Sequence, residues 1–149
     1  MRGARLLIGV GFAAAAVLLA VAPVYAASLD PCPQSPNCVS SVEPPDRENY
    51  IAPLAFQGPP DVAWKVLQET LPTIEGFYEI RWAGVEMLHA VFKTSFFGFK
   101  DDVQFLVDAK RSVIQVRSES RIGWFDFGVN RDRLERIRRA LPPPFVHVP

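Results

Sequence analysis

Apolar and polar residues follow two rhythms along this chain. From residue 78 onward they alternate in short runs, predicting strands over 78–82, 87–96, 100–108 and 113–122, close enough in sequence to be joined as hairpins. A short strand over 50–56 comes before these, ending ahead of Gly58-Pro59-Pro60. The period then changes to that of a helix. Proline suits a first helical turn, Asp61 complements the helix dipole, and Val62, Val66, Leu67 and Leu71 form an apolar stripe that stops near Pro72. A second helix is predicted from Asn130, as N-cap, with Leu134, Ile137 and Leu141 on one face, ending at the triple proline 142–144. The order is β-α-β-β-β-β-α. Strands on short turns with only two helices predict the α+β class: an antiparallel sheet with helices covering one face. No internal repeat is visible.

The segment before this pattern has a different character. Residues 1–26 combine Arg2 and Arg5, an apolar run over 6–22 and small residues around Val24-Tyr25-Ala26, the three parts of a secretory signal peptide cleaved after Ala26. The alternative is an uncleaved N-terminal anchor, which would hold the chain at the inner membrane facing the periplasm. Residues 27–49 form a proline-rich arm, and 50–149 a single α+β domain. Without Arg2 and Arg5, 14 of the 16 basic residues remain against 16 acidic ones. That balance excludes the basic excess of a nucleic-acid binder. Cys32 and Cys38 both lie in the arm. An intramolecular disulfide is the default in an oxidising compartment, with free thiols or metal and redox chemistry as alternatives. The expected location is therefore periplasmic or secreted.

The candidate site is residues 117–131, RSESRIGWFDFGVNR, where the last strand runs through an aromatic loop into an arginine-rich helix. Alternation puts Asp101, Val103, Phe105 and Val107 on the core face, followed by Ser118 and Ser120, while Arg117, Glu119 and Arg121 point outward. Charge pairing favours a register with Val107 opposite Ser112, which sets Asp102 against Arg117, Lys100 against Glu119 and Asp101 against Ser118. A buried Asp101 needs a partner, and Arg121, Arg131 or Asn130 would supply it. In one reading Asp101, Ser118, Ser120, Asp126, Asn130 and Arg131 lock the sheet to the helix. In the other the same region is a pocket wall, with Arg117, Arg121 and Arg131 for an anionic group and Phe96, Phe97, Trp124 and Phe125 for an apolar body. The arginines at 131, 133, 136, 138 and 139 read mainly as a solvated helix face.

Catalytic templates are missing from the sequence: there is no G-x-S-x-G elbow, phosphate loop or H-E-x-x-H helix. His89 falls in a strand and His147 in a proline-flanked tail, so neither suggests a triad or a metal site, and no cofactor is implied. A noncatalytic domain binding a small amphipathic or anionic ligand is favoured. An enzyme using Asp101 and the 117–131 cluster, and an assembly factor contacting another envelope protein, are the alternatives. Membrane contact is expected only through an uncleaved N-terminal segment or weakly through the aromatic and basic surface.

The element order resembles the TATA-binding-protein-like and helix-grip folds, in which a curved antiparallel sheet wraps a C-terminal helix. Helix-grip proteins often hold apolar ligands between the two, although fold alone does not specify function. Four motifs in order carry a closer resemblance: CPQSPNCVSS at 32–41, YIAPLAF at 50–56, FGFKDDVQF at 97–105 and VRSESRIGWFDFGVNRDRLERIR at 116–138. Together they resemble the domain of unknown function 1499 family over nearly all of the chain after the apolar segment. The resemblance implies a small bacterial or plastid protein, often with an export or membrane segment, and no established activity. Gln104 stands where an acidic residue is common in the family's DDV-x-F motif, which argues against catalytic use of that position.

Overall fold

The computed structural model describes residues 27–146. The readings made for residues 1–26 and for His147 lie outside the described residues. The sheet runs β1 (Cys38–Ser40), β2 (Leu54–Ala55), β3 (Phe77–Ala83), β4 (Met87–Lys93), β5 (Lys100–Asp108) and β6 (Val113–Ser120), with helices α1 (Pro60–Thr70) and α2 (Val129–Ala140). Its spatial order is β1-β6-β5-β4-β3, and every pairing between these strands is antiparallel. β1 and β2 share the outer edge of β6: Cys38–Ser40 lies against 117–119, and Leu54–Ala55 against 113–114. The α+β class stands as expected. The first predicted strand contracts to two residues, because Tyr50 and Phe56 make only isolated bridges. The arm contributes the edge strand β1, which its prolines had masked; an edge position is where a proline-flanked strand is tolerated.

Both helices send side chains into one core on one face of the sheet. β4 contributes Leu88, Ala90 and Phe92, β5 contributes Val103 and Phe105, and β6 contributes Ile114 and Val116. α2 closes it with Leu134 and Ile137, and Leu141 follows at its end. Full burial of each large apolar side chain contributes roughly 1.5–3 kcal/mol. The inner face of α1 differs from the predicted one. Val62 is exposed, and Ala63, Trp64 and Leu67 are buried. Trp64 fixes this rotation, since its indole N–H reaches the Gly84 carbonyl at 3.2 Å.

The β5–β6 register is shifted by two residues from the one that charge pairing favours. Val107 faces Ile114, Asp101 faces Ser120, Gln104 faces Arg117, and Asp102 faces Glu119. The turn sets this register: Asp108 accepts the Arg111 N–H through both its carbonyl and its side chain, and Ser112 adopts a left-handed conformation, φ 53°. The two facing acids find cations elsewhere, Asp102 with Arg121 and Glu119 with Arg117 two residues back on its own strand. Arg121 reaches Asp102 diagonally from just past β6 and Arg117 pairs along its own strand, so neither charge needs a partner directly opposite.

Cys32 and Cys38 form a disulfide across the arm, with Cα atoms 5.7 Å apart, directly at the start of β1. Replacing both with serine is expected to lower unfolding stability by about 2 kcal/mol. Urea denaturation of the oxidised wild type and the double variant at equal pH checks this, and an unchanged midpoint would contradict it.

Candidate functional site

The junction of β5, β6 and α2 is held by a buried polar network. Ser118 Oγ donates to Asn130 Oδ1 at 2.6 Å, and Arg133 Nη1 donates to Asn130 Oδ1 at 2.7 Å and to Ser118 Oγ at 3.0 Å. Arg133 Nη2 donates to Asp101 Oδ2. Asp101 and Arg133 are both 1% exposed. Burial works against the charge on Arg133, and the Asp101 carboxylate opposes that effect without cancelling it. The guanidinium carbon also lies over the Phe92 ring, 5.4 Å from its centre. Arg133 was not among the expected partners of Asp101. It nevertheless sits on the helical stripe of Asn130, Leu134 and Ile137, three and four residues apart, so its burial was readable from periodicity.

Asn130 is the second residue of α2 rather than its N-cap. Gly128 takes the cap position in a left-handed conformation, φ 82°. The capping acceptor is Asp126: its Oδ1 accepts the Gly128 N–H at 3.0 Å, and its Oδ2 accepts the Asn130 N–H at 2.9 Å. A carboxylate here also suits the positive end of the helix dipole. The Asn130 side chain is thereby freed to turn inward. Its Nδ2 lies within hydrogen-bonding reach of the Asn37 carbonyl, Ser120 Oγ and Asp126 Oδ2, at 2.8–2.9 Å. Asn37 completes the junction from the arm, donating to the Gly123 carbonyl at 2.6 Å. Nothing in its prolyl, polar surroundings marked it in the sequence.

The remaining predicted residues divide between three places. Arg117 lies on the opposite face of the sheet, 2.8 Å from Glu119. Arg121 is on that same face, holding Asp102 through Nε at 2.8 Å and Nη2 at 2.7 Å, and His89 Nε2 is 2.6 Å from Asp102 Oδ1. Arg131 reaches back to the arm and donates to the carbonyls of Glu48 and Tyr50. Neither Arg121 nor Arg131 meets Asp101: alternation sends Arg121 outward, and helical rotation sends Arg131 away from the stripe that carries Arg133. Trp124 is exposed and stands outside the cavity described next.

A cavity of about 590 Å³ opens above the network. Asp101, Ser120, Asp126 and Arg133 border it from below, while Phe96, Phe97 and Phe99 of the β4–β5 turn face Ile122, Phe125 and Phe127 of the β6–α2 loop. Of the predicted site residues, the structure therefore brings Asp101, Ser120 and Asp126 to the cavity itself, with Ser118 and Asn130 just behind. Asp101 Oδ1 is buried and has no hydrogen-bond partner. Phe127 holds a left-handed backbone conformation, φ 55°, which a bulky side chain rarely adopts. Among the described residues no three His, Cys, Asp or Glu side chains converge as metal ligands.

A family model described as "Protein of unknown function (DUF1499)" matches residues 28–141, which spans the arm, the sheet and α2. No curated protein and no solved structure matches the chain.

Two outcomes follow from this geometry. Arg133→Met strands the Asp101 carboxylate and is expected to cost about 3–5 kcal/mol, and adding Asp101→Leu should recover much of the loss, because an apolar pair replaces a buried ion pair at little net cost. Chemical denaturation of the single and double variants measures both. On the outer face, partial burial disfavours charge on Asp102, but hydrogen bonds from Arg121 and His89 outweigh it and hold the carboxyl below its usual range. Its folded value lies below its unfolded one, so the group's contribution is complete above about pH 4 and is lost as pH falls through the folded value. Asp102→Asn should flatten that acid limb of stability against pH, and an unaltered limb would refute the assignment.

Proposed function

The chain belongs to the DUF1499 family, a family of unknown function, and from that premise and the cavity we propose a noncatalytic binding domain of the cell envelope whose ligand is a small amphipathic molecule. The observation that carries this reading is the cavity's division into an aromatic wall and a polar floor. Cavities of this size and polarity suit small molecules with an apolar body and a few fixed polar contacts. The apolar body would lie between the two phenylalanine-bearing loops, and the head would face Asp101, Ser120 and Arg133.

The amphipathic ligand is favoured over an anionic one because the arginines near the site are already engaged. Arg121 is held by Asp102, Arg131 by two carbonyls and Arg133 by Asp101; Arg136, at the cavity rim, contacts Glu75 at 3.4 Å through Nη1, with its buried Nε unpartnered. On the floor itself the buried group left over is an acceptor, Asp101 Oδ1. A head that donates a hydrogen bond, such as a hydroxyl, fits that floor better than a carboxylate or phosphate. Binding is favoured over catalysis because Asp126 is committed to capping α2 and Asp101 to Arg133, which leaves no acid and base poised against each other at the cavity. An envelope location is supported by the Cys32–Cys38 disulfide, which suits an oxidising compartment, and by the signal-like residues 1–26.

Native mass spectrometry against dodecyl-chain amphiphiles that differ only in head group tests the proposal. Adducts are expected with the alcohol and the monoglyceride, and weaker ones with the carboxylate and the trimethylammonium. Val129→Asp puts a charge on the cavity wall, and a carboxylate at that position suits the first turn of α2. It should weaken binding about tenfold or more without lowering stability. Absence of adducts with every head group would refute the binding reading.

A further inference from the structure

Two loops at the same end of the sheet carry most of the large apolar side chains left in solvent. Phe96 is 89% exposed, Phe127 86% and Trp124 71%, and Phe97, Ile122 and Phe125 are also more than half exposed. The rings are not scattered. Phe97 touches Phe96 edge-on at 4.8 Å and stacks on Phe99 at 5.3 Å, and Phe125 meets Phe127 edge-on at 5.0 Å. Both loops border one cavity, so the two aromatic groups form a single crown around its mouth. A contiguous apolar patch of this kind on a folded domain marks a surface that another phase or partner covers.

The foot of the β4–β5 loop indicates which. Lys93 and Lys100 face each other directly across the strands that carry the loop. Like charges at such a position are normally destabilising. Neither lysine has a carboxylate partner among the described residues; both ammonium groups instead sit over the Tyr78 ring, at 3.7 and 4.5 Å from its centre. The crown thus combines phenylalanines, a tryptophan and an isoleucine at loop tips with two lysines just behind them that lack a carboxylate partner, while the acids at the rim are engaged, Glu75 by Arg136 and Asp126 by the α2 cap. That is the layered chemistry of a membrane–water interface, where aromatic rings occupy the headgroup level and basic side chains meet anionic headgroups.

We propose that the crown formed by residues 96–99 and 122–127 docks on an anionic lipid bilayer, inserting its aromatic tips with Lys93 and Lys100 at the headgroup plane. Docked this way, the cavity mouth faces the bilayer. The docking stands on exposure and charge alone and does not depend on the cavity holding a ligand.

Flotation of the full chain with phosphatidylcholine vesicles, with and without phosphatidylglycerol, tests it. Phe96→Ser combined with Phe127→Ser, both at exposed positions where folding is not at stake, should lower the partition coefficient about tenfold or more. Lys93→Gln and Lys100→Gln should each lower it about fivefold on the anionic vesicles and leave it unchanged on neutral ones. Tryptophan emission should be quenched by brominated acyl chains and should escape quenching in Trp124→Phe, a readout that the apolar residues 6–22 cannot mimic. Vesicle binding unaffected by any of these substitutions would overturn the proposal. So would a crown-dependent dimer, or a crown-dependent complex with a soluble protein, that forms without lipid binding.

Discussion

The buried Asp101–Arg133 pair is the constraint around which the site is arranged. A carboxylate at the end of β5 and a guanidinium on the inner stripe of α2 are each costly to bury alone, and each makes the other tolerable. Their contact fixes how α2 is rotated and how far along the sheet it sits. Once that is set, Asn130 must face inward, Ser118 and Ser120 have their acceptors and donors, and Asp126 is left to terminate the helix. The cavity is the space that remains where this polar floor gives way to the two aromatic loops.

The same pair explains why the arginine-rich appearance of α2 is misleading. Its arginines are not one solvated face. Arg133 is a core residue, Arg131 and Arg138 tie the helix to carbonyls of the segment before α1, and Arg136 lies against Glu75. Arginine suits this use because its charge persists under burial and its planar fork serves several acceptors at once. A positively charged helix with little free charge therefore sits in a chain whose acidic and basic residues balance.

Strand positions and core faces were legible because alternation depends only on which side of the sheet is dry. Asp101, Ser118 and Ser120 were placed inward correctly for that reason. Register was not legible from charge. Asp102 reaches Arg121 diagonally, one residue past β6, and Glu119 reaches Arg117 along its own strand, so neither needs a cation directly opposite, and the conformation of the 109–112 turn, which set the pairing, left little trace in composition. The partner of Asp101 was missed by weighing residue type over period: Arg133 lies on the apolar stripe but is an arginine. β1 and Asn37 were hidden by prolines that rule out a central strand yet permit an edge. Trp124 belonged to the aromatic loop as expected, but a residue's place in a loop says nothing of which way its ring turns.

The edge position of β1 also makes the arm depend on the far end of the chain. Its partner Glu119 is far along the chain from Cys38, and the Asn37 carbonyl is received by Asn130. A chain made from its N-terminus carries the arm for most of its synthesis with nothing to pair against. The Cys32–Cys38 loop, by contrast, closes over a handful of residues and needs no later part of the chain. The arm's own loop is thus closed by local contacts, while β1 and Asn37 have nothing to pair with until β6 and α2 are in place, so the start of the domain is completed only by its end.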